Sequence, residues 1–231
     1  YEGDKEALFP LIRALEFAQG EDRIRTIRGL SFLKTSAIDE LVKALGSKNE
    51  KVRTGAVKAL ELMRKDAVRP LCHNLRSARP EVQREILRVL GRLADHRSVA
   101  AITEMLSSRS LEVRVMATWS LGKIGEDVRF YEEAVRKLED MVCKDESLEV
   151  RKYAIRALGR IHAESSLSVL KSLAKNPDKT VRLEVAKALP EFGKSAVPCL
   201  VNLLEDEESA VRIQAVYSLK KIGRDAYATL I

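Results

Sequence analysis

Val-Arg-Lys-Tyr-Ala-Ile-Arg-Ala-Leu-Gly-Arg-Ile, residues 150–161, decides the architecture, because the same pattern returns along the whole chain. A Val followed by Arg or Gln, with Leu eight positions on, begins such a segment at Val52, Val82, Val113, Val150, Val181 and Val211. The steps are thirty or thirty-one residues, with one of thirty-seven between Val113 and Val150. Stepping back thirty from Val52 reaches a seventh copy at Asp22, with Arg23 second and Leu30 ninth. A repeat at this period means stacked supersecondary units rather than one irregular core. Counting the first residue of each copy as zero, apolar residues recur at 0, +4, +8 and +11, one stripe of a 3.6-residue helix. The +8 column is unbroken: Leu30, Leu60, Leu90, Leu121, Leu158, Leu189 and Leu219. Small residues at +7 (Gly29, Ala59, Ser120, Ala157, Ala188, Ser218) predict close approach of a neighbouring helix.

Upstream of each such helix lies a second apolar run, such as Ala-Ile-Asp-Glu-Leu-Val-Lys-Ala-Leu at 37–45 or Ala-Val-Pro-Cys-Leu-Val-Asn-Leu-Leu at 196–204. Short polar turns separate run from helix, and Ser110 and Ser147 stand where N-caps belong. Each repeat is therefore a pair of antiparallel helices. One pair cannot bury both its apolar faces, so neighbours must stack. The expected class is all-α, a solenoid of about seven helix pairs.

The pattern V-R-x-x-A-x-x-A-L-G-x-I, with A-V-x-x-L-x-x-L upstream, resembles the HEAT repeat, in particular the short bacterial and archaeal type seen in phycobilin lyase subunits. The resemblance covers nearly all of residues 7–225 and implies a right-handed α-solenoid of HEAT/armadillo type. Gln83 stands where Arg is usual, Asp22 where Val is usual, and Pro190 should bend or stop the sixth repeat's second helix early. The long step around 126–133 is the one irregular connection, where Phe130 and Tyr131 are read as local packing, with an adhesive surface as the alternative.

The chain has 231 residues, 45% apolar and 32% charged, with a net charge of +7. No apolar run has the roughly 18–20 residues a membrane span requires, and the first residues have neither a basic region nor an apolar signal core. Three cysteines without CxxC spacing argue against a disulfide framework, so a reducing, cytoplasmic setting is expected. Residues 1–231 read as a single solenoid domain. Because the chain starts without Met and stops seven residues into another unit, at 225–231, it reads as a fragment of a longer protein.

Two columns of the second helices are free of core demands. Column +6 reads Arg28, Lys58, Arg88, Trp119, Arg156, Lys187 and Tyr217. Column +10 reads Phe32, Leu62, Arg92, Lys123, Arg160, Glu191 and Lys221. The two lie one turn apart on one helix face. Nine of these fourteen residues are basic and one is acidic, while acidic residues concentrate on the first helices and turns, so charge is segregated by face. The resemblance places the second helices on the concave side and so turns this stripe toward a groove. Trp119 and Tyr217 are expected to be exposed there as anchors. The leading expectation is a non-enzymatic scaffold or adaptor holding an acidic protein segment in a basic concave groove. A phosphate-tracking nucleic-acid binder is the alternative, and a subunit of a bilin-lyase-type enzyme a second one. The candidate partner-binding residues are Arg28, Lys58, Arg88, Arg92, Trp119, Lys123, Arg156, Arg160, Lys187, Tyr217 and Lys221. On this reading Arg88→Ala and Arg156→Ala leave folding nearly unchanged.

The column at +1, Arg23, Arg53, Arg114, Arg151, Arg182 and Arg212, is expected to be structural, paired with nearby carboxylates such as Asp22, Glu50, Glu112 and Glu208; the resemblance implies pairing between repeats. No catalytic constellation, cofactor, metal site or small-molecule substrate is expected. His73, His96 and His162 are scattered, and Cys72 and Cys199 read as buried, inert thiols. Gly91, Gly159 and the glycines of 121–125 read as helix ends, since none follows a strand as a phosphate loop would.

Overall fold

The computed structural model describes residues 2–224 and Ala226. Every regular element among them is helical. The first repeat is α1 (Glu2–Phe17) and α2 (Gly20–Phe32), the second α3 (Thr35–Leu45) and α4 (Glu50–Met63), and the third α5 (Lys65–Ser77) and α6 (Pro80–Leu93). The fourth pairs α7 (Val99–Met105) with α8 (Leu111–Ile124), and the fifth α9 (Glu132–Lys144) with α10 (Leu148–Ile161). The sixth is α11 (Glu164–Leu173) and α12 (Lys179–Ala188), and the seventh α13 (Val197–Asn202) and α14 (Ser209–Ile222). The chain divides into two compact units, residues 1–120 and 121–231.

In both units the repeat columns form the core. Val52 and Val82 in the first unit, and Val150, Val181 and Val211 in the second, are buried, as are Leu30, Leu60 and Leu90, and Leu121, Leu158 and Leu189. Leu219, in the seventh repeat, is only half-buried. Ser147 caps α10, accepting from the backbone N–H of Val150, and Ser110 accepts from Val113 in the same way. Pro190 acts as expected: α12 ends at Ala188, and a 3-10 segment runs from Leu189 to Ala196. The long fourth connection is also 3-10, Gly125–Phe130, with Val128 buried and Tyr131 half-buried; the Phe130 side chain lies outside the described residues. So does the proposed further unit at 225–231, apart from Ala226, which is buried.

The small residues at +7 make the close contacts between repeats. Ser120 donates from Oγ to the Leu87 carbonyl at 2.8 Å in the first unit, and Ser218 to the Ala186 carbonyl at 2.7 Å in the second. In the third, fourth and fifth repeats a glycine at +9 faces the +7 residue of the next repeat. A Cβ on Gly91 would stand 2.9 Å from the Cα of Ser120 and 2.7 Å from Cζ3 of Trp119. In the second unit a Cβ on Gly159 would stand 2.8 Å from that of Ala188. Gly91, Gly122 and Gly159 are thus buried inside helices as contact points rather than helix ends. Only Gly125 of that group turns the chain, with φ +72°.

A third column, at +12, turns each second helix into the next repeat. Lys34, Arg64, Ala94, Gly125, His162, Gly193 and Gly223 all have positive φ, between 37° and 74°. Lys34 (φ 47°, ψ −134°) and Arg64 (φ 50°, ψ −124°) hold nearly the conformation of Gly193 (φ 55°, ψ −138°), which a Cβ opposes.

Candidate protein-binding surface

The +1 column is structural, but not through the expected carboxylates. Arg53 donates to the carbonyls of Ser47 and Lys48 at 2.7 and 2.9 Å. Arg182 reaches those of Asn176 and Pro177, and Arg212 those of Asp206 and Glu207. Arg23 reaches the Leu15 carbonyl at 2.7 Å, and Gln83 the Leu75 carbonyl at 3.0 Å. These carbonyls end the first helix or form the turn of the same repeat, where orphaned acceptors collect and a cation is favoured. Gln83 does the job without a charge, so the column's constant requirement is a long donor. Two members also bridge repeats: Arg23 donates to the Lys51 carbonyl at 2.6 Å and to Thr54 Oγ1 at 3.0 Å, and Arg182 is bidentate to the buried Asp206 at 2.8 and 3.0 Å and reaches Glu207 at 2.9 Å. Hydrogen bonding from Arg182 holds the Asp206 carboxyl below the usual range.

With most of +1 engaged internally, Arg151 excepted, whose Nε is buried without a hydrogen-bond partner among the described residues, the candidate surface is the +6/+10 face. In the first unit, Arg28 and Lys58 are exposed and form no ion pair among the described residues. Arg88 lies 3.2 Å from Glu85, and Arg92 donates to Glu61 at 2.7 Å. Lys58, Arg84, Arg88 and Arg92 line a cleft of about 370 Å³ with Arg53, Glu50 and Glu85. Trp119 is half-buried and packs over Gly91, so it is not the exposed anchor the sequence suggested.

In the second unit, Arg156 donates to Glu184 from Nε at 2.6 Å and Nη2 at 2.9 Å, and Lys187 joins the same carboxylate at 3.0 Å. The Arg156 guanidinium also lies 5.4 Å over the Tyr153 ring. Burial opposes ionisation of Glu184, which is 3% exposed, yet the Arg156 and Lys187 hydrogen bonds outweigh it and hold the carboxyl below its ordinary value. Lys221 pairs with Glu191. Lys123, Arg160 and Tyr217 are exposed.

Charge is therefore less segregated than the sequence reading had it. Glu61, Glu85 and Glu184 sit on second helices, Glu191 sits on the 3-10 segment after α12, and all four pair with the stripe. Glu85 and Glu184 share position +3, one turn from the +6 column, a spacing that could have flagged them. Cys199 is buried and Cys72 half-buried rather than buried; burial pushes the Cys72 thiol up to about 11 and raises that of Cys199 as well, while Cys143 is exposed. Among the described residues no helix is long and apolar enough to cross a membrane.

Repeated antiparallel helix pairs, stacked through small residues and presenting their second helices as a variable face, define an α-solenoid repeat protein, a class suited to binding other proteins. The chain belongs to the HEAT-repeat family. The family model of HEAT repeats matches residues 68–147 and 174–231, and that of the PBS lyase HEAT-like repeat matches 150–176. No curated protein matches the chain. Among solved structures, an engineered protein is similar at 24% identity, covering 81% of this chain and 97% of that one, with a TM-score of 0.57. A designed armadillo repeat protein in complex with the peptide (KR)4 is similar at 20% identity, covering 80% and 99%, with a TM-score of 0.56. The CpcE–CpcF complex of phycocyanin lyase from Nostoc sp. PCC7120 is similar at 20% identity, covering 80% and 76%, with a TM-score of 0.55. At these identities the likenesses are of fold.

Proposed function

We propose that the chain is a non-enzymatic scaffold whose second-helix face binds an acidic segment of a partner protein. The observation that carries the proposal is the cleft of the first unit, where Arg53, Lys58, Arg84, Arg88 and Arg92 converge against Glu50 and Glu85, with Arg92 also held by Glu61. A carboxylate entering it meets the exposed Lys58 ammonium and the three guanidinium groups of Arg84, Arg88 and Arg92, which share Glu85 and Glu61 between them. In the sequence the same two columns hold Arg28 in the first unit, where Trp119 packs over Gly91, and Lys123, Arg156, Arg160, Lys187, Tyr217 and Lys221 in the second. The designed armadillo protein shows that such a fold takes a peptide, although its (KR)4 ligand has the opposite charge. The protein is proposed to work in the cytoplasm, without a cofactor.

A fluorescence-anisotropy titration with a labelled glutamate-only peptide tests this. Binding is expected, and Lys58→Glu with Arg88→Glu should weaken it by about tenfold or more. No peptide binding, together with tight single-stranded DNA binding whose log–log salt slope is about −0.7 per phosphate, would overturn it in favour of a nucleic-acid ligand.

A further inference from the structure

We propose that the face shared by α2, α4 and α6 docks an acidic amphipathic helix, apolar along one side and carboxylate-bearing along the other. This rests on the reading above and adds what the partner segment looks like. In the first three repeats the +6 row reads Arg28, Lys58, Arg88, and the +10 row Phe32, Leu62, Arg92. Phe32 is 81% exposed and Leu62 53% exposed. Neither serves the core, which Leu30 and Leu60 fill from two residues earlier. A lone apolar side chain on a surface is ordinary, but two in one column of adjacent repeats, beside a row of cations, are a patterned surface.

Spacing selects a helix as the occupant. Adjacent packed helices lie about 10 Å apart, and seven residues of an α-helix rise about 10.5 Å. A helix laid across the repeats therefore returns the same face at each of them. An extended strand covers that distance in about three residues, an odd step that turns successive contacts to opposite faces. Apolar residues seven apart on the docked helix meet Phe32 and then Leu62, while a flank of carboxylates meets Arg28, Lys58 and Arg88. A nucleic-acid backbone would satisfy the cations but offers nothing to the Leu62 side chain.

The test uses the full chain and three fluorescein-labelled peptides followed by anisotropy. One has leucines at heptad spacing flanked by glutamates, one has the same composition in shuffled order, and one contains glutamate only. The heptad peptide is expected to bind at least about tenfold tighter than the other two. Phe32→Ser with Leu62→Ser should abolish that advantage while the helical circular-dichroism signal of the protein is unchanged. Arg28→Glu with Lys58→Glu should weaken the heptad and glutamate-only peptides alike. Equal binding of heptad and shuffled peptides, or an advantage that survives the serine substitutions, would overturn the inference. If the glutamate-only peptide matches the heptad peptide, this inference fails and the proposed function stands. If no peptide binds, both fail.

Discussion

Arg156 and Glu184, on the second helices of successive repeats, are joined by two hydrogen bonds of 2.6 and 2.9 Å. Arg156 is thus an inter-repeat tie as well as a member of the candidate surface. Arg156→Ala leaves Glu184 buried with Lys187 alone and should destabilise the fold by about 1–3 kcal/mol, well above the near-neutral effect the sequence reading implied. Urea denaturation checks this, and Arg160→Ala, on the exposed face of the same helix, is the near-neutral control.

Leu158→Ala should cost about 2–5 kcal/mol, because Leu158 is fully buried at the centre of its repeat. Leu219→Ala should cost less, since Leu219 is half-buried. Chemical denaturation of the pair measures the difference. A Leu219 loss equal to that of Leu158 would contradict the burial pattern.

Gly91→Ala forces a methyl group toward the backbone of Ser120 and the Trp119 ring. Because backbone cannot swing aside as a flexible side chain does, the expected cost is about 1–3 kcal/mol. Trp119 is the single tryptophan, so a shift in emission maximum reports whether its ring has been displaced.

Arg64→Gly and Lys34→Gly should each stabilise the protein by about 0.5–1 kcal/mol, because both residues hold a backbone conformation that a Cβ opposes. Gly193→Ala, with φ +55°, should do the reverse. Thermal melts of the three variants give the sign directly.

Acid should weaken the fold through its depressed carboxyls. Hydrogen bonding from Arg97 lowers Asp95 from 3.8 to about 2. A depressed carboxyl contributes stability that is fully present above its unfolded value and lost as pH falls through its folded value. The Asp95 contribution therefore disappears between about pH 4 and pH 2, and those of Asp206 and Glu184, also lowered, decline on the acid side as well. Asp95→Asn should flatten the acid limb of a plot of denaturation midpoint against pH.

The repeat period made the helix pairs, their order and the buried Leu column legible, because periodicity reports burial directly. The early end of α12 was legible from Pro190 alone. What the period could not show was where long polar side chains end up. Arg53 and Arg182 sit in one column, yet one bonds only to carbonyls and the other also to Asp206, a choice made by the next repeat's turn. Glu85 and Glu184 were hidden for the same reason, since a carboxylate one turn from a cation reads as solvated until burial is known. The positive φ of Lys34 and Arg64 left no trace in residue type, whereas Gly193 and Gly223 announce theirs.

On the proposed function, Glu85 and Glu184 are resident competitors for the acidic partner. An acidic visitor at Arg88 or Arg156 must take over a guanidinium already engaged, so its net gain is a difference between two similar contacts, and discrimination sharpens as affinity falls. Because Arg156 and Glu184 belong to different repeats, an exchange there would also loosen the joint between those two layers, making occupancy and local stiffness a single coupled variable.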